Sequence, residues 1–125
     1  MREIIIIVGH GSTAADADGT AYIADQLHSM LHADCKKDCV RVAYLQFMKP
    51  ELKESLDNIA QEGINKIVIH PFFLSRGFHV TKNIPQIIEN FQNTYPGIKV
   101  ICTAPLGVHE KLAEVVLKRI KEAVD

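Results

Sequence analysis

The sequence predicts an α/β fold: a single flavodoxin-like domain of three layers, in which a four-stranded parallel sheet carries helices on both faces. Strand-like and helix-like segments alternate along the chain as βαβαβαβα, which is typical of a parallel sheet. The first strand is apolar from Ile4 to Val8, as strands buried on both faces are. With 125 residues the chain is expected to form one domain, residues 1–125.

The first half of the chain predicts two strands and two helices. The first strand covers Glu3–Val8, and apolar residues at helical spacing then predict a helix from Ala14 to about Ala33. The second strand covers Val40–Leu45. The second helix begins near Pro50, which suits a first helical turn, and ends at Gly63.

The second half repeats the pattern. The third strand is predicted over Ile64–His70, and a long loop, Pro71–His79, follows it. The third helix is predicted to start at Pro85, and the fourth strand covers Ile98–Cys102. The last helix is predicted from the apolar residues Leu112, Val115, Val116 and Ile120.

The expected strand order is 2-1-3-4. Right-handed crossovers place every strand-to-helix loop on one edge of the sheet, and open parallel sheets bind ligands there, near the point where the strand order reverses. The loops that carry function are therefore those that begin near Gly9, Gln46, Pro71 and Ala104.

Composition excludes several classes of protein. Hydrophobic residues make up 47% and charged residues 23%, with a formal net charge of -1, so neither disorder nor nucleic-acid binding is expected. The longest apolar run is far shorter than the roughly 20 residues that span a membrane, and no signal-peptide cleavage region follows it. We expect a cytoplasmic protein.

The three cysteines fit a reducing compartment better than a disulfide framework. Cys35 and Cys39 flank a charged loop at a spacing that matches neither a zinc knuckle nor a thioredoxin motif, and we interpret them as ordinary residues. Cys102 is expected to be a buried strand residue.

The first functional loop presents His10 between two glycines. Gly9 and Gly11 permit a sharp turn, Ser12 or Thr13 is placed to cap the next helix, and the free amides of that helix start attract anions. Two interpretations stay open on local sequence: a histidine presented to a ligand, or a solvent-exposed histidine in a tight turn.

The third loop carries His79 after an unusually apolar stretch. Such a loop either packs under a neighbour or lines an apolar cavity. On its own, His79 is better explained as a polar residue that flanks a helix start. Together with His10 on the same edge, it would supply two imidazoles, which suit Fe²⁺, Co²⁺, Ni²⁺ or Zn²⁺.

The other histidines are weaker candidates. His28 and His32 are spaced i, i+4 on one helix, and we expect a solvated helix face rather than a metal site. His70 ends the third strand and is expected to be buried and hydrogen-bonded. His109 begins the last helix on the functional edge and is a second-tier candidate.

Three motifs together resemble the class II tetrapyrrole chelatases, and the nearest branch is similar to the small sirohydrochlorin chelatases of the CbiX/SirB type. The motifs are Val8–Ser12 after the first strand, Pro71–Leu74 with Gly77–Val80 and Ile84–Pro85 after the third, and Pro105–Gly107 before the last helix. The resemblance covers nearly the whole chain.

The resemblance implies an enzyme that inserts a divalent metal into sirohydrochlorin, a tetrapyrrole with eight carboxylates. Cobalt is the expected metal, nickel and iron are alternatives, and no organic cofactor is implied. His10 and His79 match the two histidines that face the metal and the macrocycle, so they are the candidate catalytic residues and metal ligands. Neutral imidazole can coordinate an ion or accept a pyrrole proton, but one nitrogen cannot do both.

The resemblance also assigns a set of residues to the macrocycle. Arg76 and Lys82 are equally explained as solvated surface charges. The chain departs from the family twice, with Gln46 where relatives often have Glu and Asn83 where many have Asp; the asparagine would keep a helix-capping role. The expected tetrapyrrole-binding residues are Gly11, Ser12, Gln46, Phe72, Phe73, Arg76 and Phe78.

Related chelatases commonly hold two such units in one chain around one cleft, and this chain has material for one. We therefore expect a homodimer, with C₂ the commonest symmetry. Two alternative functions remain: a metal- or flavin-binding module without catalysis, and phosphoryl transfer through His10. The second needs an adjacent arginine, and Gly9 stands there instead.

Overall fold

The computed structural model describes residues 3–11, 19–31 and 39–124. Strands and helices alternate along the chain, and a π-helical turn, His79–Asn83, precedes the third helix. The elements are β1 (Glu3–Gly9), α1 (Thr20–Leu31), β2 (Val40–Tyr44), α2 (Leu52–Ala60), β3 (Lys66–Pro71), α3 (Ile84–Thr94), β4 (Lys99–Cys102) and α4 (Glu110–Val124).

The four strands form one parallel sheet in the order β2-β1-β3-β4, which confirms the predicted topology. Ile5 of β1 lies opposite Val40 on one side and Val68 on the other. Val68 in turn lies opposite Ile101 of the edge strand β4. Because paired residues share a face and neighbours alternate, these four side chains form a row across one face of the sheet.

The two faces of the sheet have separate apolar clusters. The smaller cluster joins Ile5 and Ile7 to Ala24 and Leu27 of α1. The larger one is on the opposite face and contains α2 and α3, so helices flank both faces as predicted. Its buried residues are Ile4, Ile6, Val8, Ala43, Leu52, Leu56, Ile59, Ile64, Ile67, Ile69, Ile84, Phe91 and Ile98.

Several predicted boundaries shift by a few residues. β2 ends at Tyr44 rather than Leu45, β3 covers Lys66–Pro71, and α2 ends at Ala60, three residues before Gly63. Pro50 precedes α2 and follows a cis peptide bond. The predicted beginning of the first helix, 14–18, and its end, 32–33, lie outside the described residues.

The approach to α3 differs from the sequence prediction. Helical backbone begins before Pro85, because the carbonyl of Gly77 accepts hydrogen bonds from the amides of Val80 and Thr81 and from the Thr81 hydroxyl. His79 therefore lies inside a π-helical turn rather than ahead of a helix. The capping role expected for Asn83 is wrong, since its backbone is helical and its side chain makes no capping hydrogen bond.

Two cysteine predictions need correction. Cys102 is a free, exposed cysteine rather than a buried one, because β4 is the edge strand and has a neighbour on one side alone. Cys39 is disulfide-bonded rather than an ordinary thiol, and Cys35 lies outside the described residues.

The last helix contrasts with the other three. The sequence predicts α4 correctly as a helix, yet none of its 15 residues is buried, whereas α1, α2 and α3 each bury side chains against the sheet. Within the described ranges, no helix is both long and apolar enough to cross a membrane.

Candidate functional site

The loop after β1 is hydrogen-bonded to the loop after β2 at the carboxyl edge of the sheet. The amide of Leu45 donates to the carbonyl of Gly9 (3.1 Å), and the amide of Gln46 donates to the carbonyl of His10 (3.2 Å). On the other side, the amide of Phe72 donates to the carbonyl of Val8 (2.8 Å). Strand pairing thus continues past the strand ends and fixes the backbone at His10.

Gly11 is required by the close approach of these two loops. Its φ is +97°, a conformation that side chains rarely adopt. A Cβ atom on Gly11 would overlap the backbone carbonyl oxygen of Gln46. Glycine is therefore the residue that lets the His10 loop lie against the Gln46 loop.

The His10 imidazole is exposed, and Gln46 lies beside it. The Nδ1 atom of His10 is 3.3 Å from the carbonyl oxygen of Gly11 and 3.3 Å from the side-chain amide nitrogen of Gln46. The same Gln46 nitrogen is 3.1 Å from the Nε2 atom of His10, to which its N–H can donate when that nitrogen carries no proton. Gln46 is therefore a neutral hydrogen-bonding partner that lies against the exposed His10 imidazole.

Phe73 orients the same imidazole from another side. Its ring meets the His10 ring edge to face, with centroids 6.2 Å apart and planes at 89°. Phe73 itself packs against the α2–α3 side of the core, while its neighbour Phe72 packs against the α1 side. The two phenylalanines therefore anchor the loop after β3 in both layers.

Exposed apolar side chains surround this edge. Phe78 and Leu74, both from the β3–α3 connection, are each 69% exposed, and Phe47 from the loop after β2 is 67% exposed at a positive φ of 66°. Val108, before α4, is also exposed. Sequence reasoning singled out Phe78 and missed the other three, although an apolar residue just past a strand end is the signal that marks them.

The remaining predicted site residues are placed as follows. Arg76 and Lys82 are exposed on the β3–α3 connection. The backbone of His79 begins the π-helical turn on that same connection, so it shares the carboxyl edge with His10. Ser12 lies outside the described residues, as does Thr13.

His70 and Thr103 form a second polar pair, on the α1 face of the sheet. His70 is half-buried, and its Nδ1 atom is 2.8 Å from the Thr103 hydroxyl. Thr103 donates its own proton to the carbonyl of Ala104, so it accepts from His70. Burial lowers the pKa of His70, because a charged imidazole is poorly solvated there.

The other histidines have structural roles or lack a described partner. His109 accepts a hydrogen bond from the amide of Lys111 at 3.0 Å and so caps the start of α4. His28 is half-buried rather than on a solvated face, and its Nε2 makes no hydrogen bond within the described residues. His32 lies outside them. Across 3–11, 19–31 and 39–124, no three or more His, Cys, Asp or Glu side chains group as a metal site.

The fold and the site define an α/β protein that presents an imidazole and an apolar surface at the carboxyl ends of its parallel strands. The model of one family, CbiX, matches residues 4–123. The chain belongs to the CbiX family.

Relatives of two lengths are similar to this chain. A sirohydrochlorin cobaltochelatase from Methanosarcina barkeri is 32% identical over 96% of this chain and 95% of its own length. A chloroplastic sirohydrochlorin ferrochelatase from Arabidopsis thaliana is 30% identical over 96% of this chain but 52% of its own length. The chain therefore spans nearly all of the first relative and about half of the second.

Solved structures share the fold. A CbiX protein from Marinobacter aquaeolei superposes with a TM-score of 0.71 at 23% identity, covering 98% of this chain and 97% of that one. The sirohydrochlorin chelatase SirB from Bacillus subtilis subspecies spizizenii, in complex with cobalt, gives 0.82 at 24% identity, with 98% and 51% covered.

Gly11→Ala is expected to destabilise the protein by at least about 2 kcal/mol, since it adds both a strained φ and a backbone overlap. Urea unfolding measures this difference. Gly63→Ala is the matched control: φ is also positive (+74°), but a Cβ atom there meets nothing within 4 Å. An equal loss of stability in the two variants would contradict a specific contact between the Gly11 and Gln46 loops.

The free energy of unfolding is expected to decrease as the pH is lowered, and the protonation of His70 contributes part of this decrease. Because burial lowers the folded-state pKa of His70, the unfolded chain binds a proton first as pH falls below about 6.5, and the folded state loses stability. His70→Gln should lessen the stability lost between pH 7 and pH 5 in urea titrations. His109→Gln, which removes an exposed histidine, is the control. If the stability of His70→Gln depends on pH as strongly as that of the parent protein, His70 does not contribute to the loss.

Proposed function

We propose that this chain is a sirohydrochlorin chelatase, which inserts a divalent metal ion into the macrocycle, with cobalt as the expected ion and nickel or iron as alternatives. Membership of the CbiX family over residues 4–123 supports the reaction class. Relatives that carry cobaltochelatase and ferrochelatase names support a divalent transition metal as the substrate ion. Flavin binding and phosphoryl transfer gain no support from the described site.

The observation that carries the proposal is the exposed His10 imidazole beside an apolar surface. Metal insertion needs an ion held over the face of a flat ring, and the nitrogen of an exposed imidazole can hold it. The exposed Phe47, Leu74 and Phe78 side chains at the same edge offer the apolar contact that a planar macrocycle prefers.

The reaction exchanges one divalent ion for two pyrrole protons. A neutral imidazole either donates its lone pair to the ion or accepts one proton, so one imidazole holds the ion while the other accepts one pyrrole proton, and the second proton passes to water. We assign these roles to His10 and His79, which follow β1 and β3 on one edge. Histidine suits both roles, since its ordinary pKa lies close to neutral pH.

Gln46 controls the availability of the His10 lone pair. In the structure its amide N–H donates to Nε2, so an arriving ion must displace that hydrogen bond. Rotation of the amide by 180° replaces the N–H with an oxygen, which can accept from a protonated Nε2 or face the ion. Gln46 thus serves both protonation states of His10, but without the negative charge of a glutamate.

The other predicted residues take distinct roles in binding the macrocycle. Phe78 contacts its face, Phe73 orients His10, and Phe72 anchors the loop between the core layers. Arg76 pairs with ring carboxylates. The amides around Gly11 and Ser12 are further donors to those carboxylates, and Lys82 is a further cation.

One sheet edge of this size leaves much of a tetrapyrrole uncovered, so we propose a cytoplasmic homodimer that forms a two-sided cleft. Two relatives of about twice the length of this chain support a functional unit of that size. A chain that stays monomeric at micromolar concentration by light scattering and keeps full activity would contradict the dimer.

The chain is expected to accelerate metallation of sirohydrochlorin by Co²⁺, and to a different extent by Ni²⁺ and Fe²⁺. His10→Ala and His79→Ala should each lower the rate at least about 100-fold, since each removes a metal ligand or proton acceptor. The change in macrocycle absorbance in a stopped assay gives the initial rates.

His109→Ala is the matched control for these variants, because it also removes an imidazole close to the functional edge but one that caps α4. No acceleration by any of the three ions over the protein-free rate would refute the chelatase function. Full activity in both His10→Ala and His79→Ala would leave the reaction class intact and remove the catalytic pair.

The metallation rate is expected to fall below about pH 6, where imidazole is protonated and loses its lone pair. Gln46→Glu should move this acid limb to higher pH, because a carboxylate beside an imidazole favours its protonated form. Rates measured from pH 5 to 8 give the midpoint for each variant. Gln46→Ala controls for loss of the hydrogen bond alone.

A flat profile from pH 5 to 8 in the parent would contradict imidazole catalysis. An acid limb that coincides in Gln46→Glu and Gln46→Ala would show that residue 46 does not act on the His10 imidazole.

A further inference from the structure

The helix α4 has an apolar face that no other part of the described chain buries. Apolar residues recur on it at helical spacing, while lysines, arginine and glutamates occupy the opposite side. Every residue of the helix except Leu112 is exposed. Its exposed apolar side chains include Val116, Leu117, Ile120 and Val124, at 58%, 51%, 53% and 76%. An isolated amphipathic helix is marginal in water, so this face needs a partner surface.

Among residues 3–11, 19–31 and 39–124, no helix covers the face of β3 and β4 on the α1 side of the sheet. On the α2–α3 side these strands bury Ile67 and Ile69. Alternation places Val68 and Ile101 on the opposite side, where α1 packs. The described part of α1 packs against β1 and β2, and Val68 is half-buried while Ile101 remains 36% exposed.

The dimensions of helix and sheet face agree. Fifteen helical residues extend about 22 Å, and the six residues of β3 extend about 20 Å. A helix laid along β3 and β4 on the α1 side would complete the third layer of the sandwich. The two uncovered apolar surfaces of the chain are thus complementary in length and chemistry.

The chain does not close this gap with its own helix. The connection from β4 is fixed by hydrogen bonds from the amides of Leu106 and Gly107 to the carbonyls of Phe73 and Leu74, at 2.9 and 3.0 Å. His109 then caps the first turn. A connection held at both of these points starts α4 at the carboxyl edge and leaves the helix without a buried residue.

We infer that two copies of this chain exchange α4, so that the helix of each copy covers the β3–β4 face of the other. The occupant of the uncovered sheet face is therefore a second copy. Exchange of an identical element is a low-cost route to a symmetric dimer. It buries both apolar surfaces at once.

This inference deepens the proposed homodimer, on which it rests, and it specifies which surfaces meet. It does not depend on the metal or the reaction. Relatives twice as long as this chain agree with two units acting as one assembly.

The test uses the full chain with a photoreactive residue, Ile120→p-benzoylphenylalanine. Unlabelled and ¹⁵N-labelled chains are unfolded together in urea, refolded and irradiated, and cross-linked peptides are analysed by mass spectrometry. We expect cross-links from position 120 to the peptides that contain Val68 or Ile101. About half of these pairs should join one light and one heavy peptide, as random pairing of copies requires. Lys118→p-benzoylphenylalanine, on the polar side, should give few such links.

Light–light and heavy–heavy pairs alone would show that α4 folds onto its own sheet and would overturn the inference. Cross-links confined to other surfaces would overturn it as well. A second measurement is the mass in solution: Ile120→Gln should shift the dimer to monomer, whereas Lys118→Gln should not. A monomeric parent chain overturns the exchange.

Metallation measured on the same preparations separates this inference from the proposed function. A monomer that inserts cobalt overturns the exchange of α4 and leaves the chelatase function. An exchanged dimer that metallates nothing supports the exchange and overturns the function.

Discussion

The pairing of β1 between β2 and β3 is the interaction on which both the fold and the site depend. Alternate residues of β1 enter the two apolar clusters, with Ile4 and Ile6 on one face and Ile5 and Ile7 on the other. The same pairing continues into the loops, where backbone hydrogen bonds fix His10 against Gln46. A disturbance of β1 would therefore reach the core and the imidazole together.

The sequence was sufficient for the fold where backbone constraints are strong. Parallel order follows from right-handed crossovers and from apolar strands, so the position of His10 at the carboxyl edge was predictable. The contact between Gly11 and the Gln46 carbonyl was not, because it depends on the distance between two loops far apart in sequence. The helical backbone around His79 was not predictable either; it begins next to the Gly77 carbonyl, which accepts hydrogen bonds from Val80 and Thr81.

The roles of the phenylalanines show the same limit. Sequence position alone groups Phe72, Phe73 and Phe78 as one apolar loop. The structure divides them, because successive residues past a strand end still alternate between the two faces of the sheet. Phe72 and Phe73 enter opposite clusters, and Phe78 is left exposed. Of these three, Phe78 alone has a surface large enough to contact a flat ligand.

The exposed α4 follows from its place in the topology. A helix that connects two parallel strands packs along a face of the sheet, because the strands at its two ends hold it there. The helix α4 follows β4 and has no strand after it among the described elements. Packing against an apolar surface then decides its position, and that surface can belong to the chain itself or to a second copy. The order of the elements thus explains why α4, unlike the other three helices, buries none of its residues.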